Sequence, residues 1–170
     1  MNDPLTRLRA QATVAVMATA ASELREDRDA FDYLVSDIVS QHLVTSVTNA
    51  AVGVVSVHLD ALEASVSPPE VVLEVWADIL TGFRDYAQPR WGGVVVRVGL
   101  ACLQAGTLPR SAGAQVRHEV LANRAVPEVI PTVQGAVGAT AWTLLSVNGR
   151  LGRDPEAEAR RLILRFAHLL

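Results

Sequence analysis

The chain has 170 residues, half of them hydrophobic, with a mean hydropathy of +0.26 and only 5% aromatic side chains. Its single cysteine, Cys102, excludes an intrachain disulfide, and its fifteen basic residues are all Arg, which excludes Schiff-base, phosphate-loop and general-base lysine chemistry. The net charge of −3 hides a split, −8 over residues 1–85 and +5 over residues 86–170, so an acidic half can dock on a basic half or the basic half can take an anionic partner.

A chain of this length forms one domain, residues 1–170, and buries roughly 70% of its unfolded surface without a metal or disulfide. The apolar excess is Ala and Val, and small side chains let helices approach closely. In chain order, Asp3-Pro4 caps a first helix, with Leu5, Leu8, Ala12, Ala15 and Val16 as its inner stripe. A secretory signal is disfavoured there, because Gln11 and Thr13 interrupt a run that lacks Leu.

The stretch from Asp29 to Ala64 is the organising one. It has no charge between Asp37 and Asp60. Phe31, Leu34, Val35, Ile38, Val39 and His42 share one face at helical spacing. From Leu43 to Leu62 the pattern is apolar all round, which predicts burial. One helix of this length would span roughly 54 Å, so a break is expected near Asn49 to Gly53. A membrane span is disfavoured by Gln41, His42, Asn49 and His58 within the run.

Ser67-Pro68-Pro69-Glu70 reads as a capping box. The helix it opens has Val72, Val75, Trp76, Ile79, Phe83 and Tyr86 on one side, Glu70, Glu74, Asp78 and Asp85 on the other, and a stop at Gln88-Pro89. Val94 to Val98 suits a strand by composition. The lack of a strand partner favours a helix to Gly106 with Val95, Val98, Cys102 and Leu103 inward. Thr107 to Gly113 reads as a loop, followed by a short basic helix. A second uncharged element runs from Val129 to a stop at Asn148-Gly149. Asp154-Pro155-Glu156 opens the last helix, with Ala159, Leu162, Ile163, Phe166 and Leu170 inward. The expected fold is all-α: a single-domain bundle or array of seven or eight helices around two apolar central ones.

No spacing in the chain signals catalysis, a metal or a cofactor. His42 and His58 have no carboxylate at i+3 or i+4, so each reads as a hydrogen-bonded histidine rather than a ligand. Cys102 sits among apolar neighbours, where a thiol behaves as a small hydrophobe. Glu70, Glu74 and Asp78 read as a solvated acidic ladder. Arg90, Arg97, Arg110, Arg117 and Arg124 form a candidate basic surface for a partner; nucleic acid is disfavoured because no recognition module accompanies them. His42, His58, Gly135, Gly138 and Trp142 form a candidate pocket between the central helices. The resulting expectation is a cytoplasmic, non-enzymatic helical protein that works through self-association, as a homodimer, or as an adaptor for a protein partner. The alternative is a regulator-like domain binding a small apolar ligand.

Overall fold

Helix-start signals in the sequence set the outer elements, and apolar side chains pull them onto one core. The computed structural model describes residues 3–65, 69–108 and 128–170, apart from the side chains at 69 and 70. The described residues form seven helices and no strand: α1 (Pro4–Leu24), α2 (Arg28–Ser40), α3 (Val44–Ser65), α4 (Pro69–Trp91), α5 (Gly93–Thr107), α6 (Val129–Arg150) and α7 (Pro155–Ala167). Asp3, Asp27 and Asp154 each accept backbone N–H bonds at the start of their helices, and a Pro opens both α1 and α7. The Val94 region is helical, with Val95, Val98, Cys102 and Leu103 all buried. The capping box at Ser67 and the loop and basic helix expected after Leu108 lie outside the described residues.

Three boundaries differ from expectation. The Asp29–Ala64 stretch breaks at Gln41–Leu43, and α3 passes unbroken through Asn49–Gly53. The break is a Schellman turn: Leu43 N–H donates to Ile38 O at 3.1 Å and His42 N–H to Val39 O at 3.1 Å, with His42 at φ +57°. A non-glycine residue there costs about 1–2 kcal/mol. The burial of Leu43 beside Ile38 offsets it. The same turn, with Glu26 at φ +57°, ends α1. The second boundary is at α6, which runs through Asn148-Gly149 to Arg150, and Gly152 at φ +66° supplies the left-handed residue that stops it. Pro89 lies within the last turn of α4, so that helix extends to Trp91. Gly92, at φ +83°, then forms the corner into α5.

The centre is α6, which packs against all six other helices. Its buried set comes from every side: Val133, Val137, Ala141, Leu144 and Val147 with the glycines and threonines between them. The other uncharged helix, α3, is less enclosed. Thr45, Asn49, Gly53 and Val57, spaced every four residues, form an exposed stripe. An apolar helix at the rim of a bundle keeps one such line in water when its neighbours cover only the rest of its circumference. In α1, Leu5 and Leu8 are exposed and the buried face is Ala10, Ala12, Val16, Met17 and Ala20.

Close approach at α6 depends on missing side chains. A Cβ on Gly135 would stand 2.6 Å from Val98 Cβ and 3.0 Å from Gly99 N. One on Gly138 would stand 2.9 Å from the Trp91 ring. Gly135→Ala should therefore lower stability by about 1–3 kcal/mol, because α5 and α6 must separate. Gly53→Ala, with nothing within 4 Å of the new carbon, should raise it by about 0.5–1 kcal/mol through helix propensity. Urea denaturation followed by circular dichroism measures both; equal shifts in one direction would contradict this packing.

Candidate functional site

Among the described residues, titratable groups enter the interior at two places. At the first, Glu23 near the end of α1 is buried and reaches α4. Tyr86 Oη–H donates to Glu23 Oε1 at 2.6 Å, and Arg90 Nε–H donates to the same oxygen at 3.1 Å. The Arg90 guanidinium also lies 4.1 Å over the Tyr86 ring and donates to Tyr86 O. Burial, then the bond to Glu23, pushes the Tyr86 phenol far above its ordinary range. Around it stand Phe31, Phe83, Trp91 and Trp142. Phe31 and Trp91 stack at 5.7 Å, Tyr86 meets Trp91 edge-on at 5.9 Å, and Trp142 lies 5.2 Å from Tyr86. The network is filled by its own side chains and fastens α1 to α4.

At the second place, His58 on α3 is 5% exposed. Its Nδ1 lies 2.8 Å from Val54 O, and since a carbonyl only accepts, Nδ1 carries the proton. Nε2 is then a bare acceptor, 3.5 Å from Glu158 Oε1 on α7 and without a hydrogen-bond partner among the described residues. Glu158 accepts two bonds from Arg161, at 2.7 and 2.6 Å, which hold its carboxyl below the usual carboxylate range. Burial lowers the His58 pKa and outweighs the Val54 carbonyl and the Glu158 charge, which both raise it. The imidazole is therefore neutral in the folded protein near pH 7.

The residues singled out from the sequence are dispersed. His42 is exposed at the α2–α3 corner, whereas His58 is buried on the α7 side of α3. The space before Gly135 is occupied by Val98 and that before Gly138 by Trp91. Trp142 is half-buried and donates through Nε1–H to Ile79 O at 2.8 Å, with its ring against Gly82. Arg90 is engaged by Glu23, Arg97 is exposed on α5, and Arg110, Arg117 and Arg124 lie outside the described residues. In the acidic ladder, Asp78 pairs with Arg150 at 3.5 Å and Glu74 is exposed. Glu158, a hundred residues from its histidine, carried no local signal. No group of three or more metal-ligating side chains occurs among the described residues.

Two surface features remain. A half-open groove of about 230 Å³ lies between α1 and α2, with Val14, Ala18, Leu34 and Ile38 as its apolar wall and Gln11 and Asp37 at its edge. The first two turns of α4 leave Val71 and Leu73 exposed, with Leu73 at 73%, and Val72, Val75 and Trp76 only half-covered. No helix among the described residues is long and apolar enough to cross a membrane. Compared with models of protein families, with curated proteins and with solved structures, the chain matches none.

Three outcomes follow from the side-chain environments. Tyr86→Phe removes the hydroxyl donor to a buried carboxylate and should lower unfolding free energy by about 1–2 kcal/mol. Arg90→Ala, at a side chain 37% exposed, should cost under about 1 kcal/mol. Burial pushes the Cys102 thiol up to about 12, so it should resist a thiol reagent at pH 8 in the native protein and react fully in denaturant. A fast native reaction would refute that environment.

Proposed function

We propose that the protein acts by association rather than by catalysis, through the apolar opening turns of α4. The observation that supports this is the incomplete cover of that helix. Ile79, Phe83 and Ala87 are buried, while the preceding apolar residues of the same helix are left half-covered or in water. An amphipathic helix gains stability by hiding its apolar face, so an uncovered half invites a second surface. Glu74 and Asp78 rim the patch, and both are exposed. A complementary surface is apolar with a basic edge.

The chain itself supplies basic groups, since residues 86–170 sum to +5 and Arg97, Arg160 and Arg165 are exposed. The simplest partner is a second copy, with the acidic half of one chain against the basic half of the other. An adaptor role toward a different basic, apolar protein uses the same patch. The α1–α2 groove favours a second reading, in which a small apolar ligand binds; its volume suits a compound smaller than a drug-sized one.

Sedimentation velocity across a hundredfold range of concentration should show a dimer that dissociates on dilution. Leu73→Arg should weaken it at least tenfold with an unchanged melting temperature. A strict monomer at every concentration rejects self-association. If that monomer also melts higher in hexanol, and Leu34→Trp abolishes the rise, the groove reading replaces it.

A further inference from the structure

We propose that the acidic opening turns of α4 in one copy seat on the outward face of α7 in another, so that two unlike surfaces of the chain are joined. This docking rests on the association through α4 proposed above and adds the surface that receives it. Between residues 69 and 82, α4 carries Glu70, Glu74 and Asp78 and no Arg. Leu73, 73% exposed, stands next to Glu74, and Val71 is exposed two residues earlier. Two α4 openings laid against each other would bring Glu74 and Asp78 of both copies together, and like charges oppose such a contact. The surface that α4 meets is therefore apolar at its centre and basic at its margins.

The outward face of α7 has that form. The helix packs on α1 and α6, with Ala159 and Leu162 buried. On its opposite side Ala157, Arg160, Arg161, Leu164, Arg165 and His168 follow one another at helical spacing, and all are exposed. Leu164, 67% exposed, has Arg160 and Arg161 one turn before it and Arg165 beside it. Arg161 gives two bonds to Glu158, whereas Arg160 and Arg165 form no ion pair among the described residues. The face thus offers a protruding leucine and two arginines not spent within the chain.

Other exposed apolar side chains lack this company. Tyr33 shares α2 with Asp29, Asp32 and Asp37, and Val57 lies on α3, which has no Arg. Leu145 is on α6, whose one cation, Arg150, pairs with Asp78. At the start of α1, Leu5 and Leu8 are exposed, but Arg7 is bonded to Leu170 O and Asp3 caps the same turn. A dimer related by a twofold axis makes a contact between unlike surfaces twice.

Sedimentation velocity on the full chain tests the docking. Because opposite charges are joined, raising sodium chloride from about 0.05 to about 0.5 M should weaken association of the unmodified chain about threefold or more. Leu73→Arg and Leu164→Glu both change exposed side chains. Each alone should weaken association at least tenfold with an unchanged melting temperature. Mixed in equal amounts, the two variants should regain the association that neither shows alone, since one keeps the α7 surface and the other keeps the α4 surface. If Leu164→Glu associates like the unmodified chain while Leu73→Arg does not, association through α4 stands and its docking on α7 is overturned. A mixture that stays monomeric overturns it as well. Should either variant melt lower, the salt response of the unmodified chain decides: association unchanged or strengthened by salt overturns the docking. An unmodified chain that is monomeric at every concentration removes both the docking and the reading it rests on.

Discussion

Everything in this protein depends on how closely α5 can approach α6. Gly99 and Gly135 face each other there, and a Cβ on Gly99 would stand 3.1 Å from the carbonyl oxygen of Gly135. An added Cβ at either glycine would therefore push α5 from α6, the helix that packs against all six others described. Bulk is displaced elsewhere: five of the eight aromatic side chains collect where the end of α4 meets α2 and α6. Small residues at the centre and rings at one corner are two sides of one packing solution.

The buried threonines of this core are satisfied locally. Thr19, Thr140 and Thr143 are fully buried, and each returns its hydroxyl to the carbonyl four residues earlier. Among the described residues, buried titratable groups stand where two helices meet. Glu23 ties α1 to α4, and Glu158 reaches from α7 to α3. The two sites differ in completeness. Glu23 has two donors, while His58 keeps a bare nitrogen toward its carboxylate.

The outside follows a related logic. α4 is apolar over more turns than the bundle can cover, and the uncovered turns lie between acidic residues. Surplus apolar surface with a charged rim is the general form of a contact surface between proteins. It supports association as the reading of this molecule more strongly than any arrangement of its histidines supports chemistry.

Much was legible in the sequence because it depends on short-range chemistry. Asp3-Pro4 and Asp154-Pro155 announce helix starts, since free N–H groups need an acceptor within two or three residues. The face of α2 and the inward set of α5 follow from a period of 3.6. The break at His42 was not legible, because any residue can be forced left-handed when the apolar residue after it has a core to enter. Burial around α3 was overestimated, since composition cannot tell how many neighbours arrive. The Glu158–His58 contact was invisible, as no local rule relates residues a hundred apart. By itself, the sequence determined that the chain is helical, which faces are apolar and where most helices begin, because those are set by each residue's neighbours in the chain. Only the tertiary structure decided which apolar helix is enclosed, where the long one breaks and which charges meet, because those depend on what packing leaves room for.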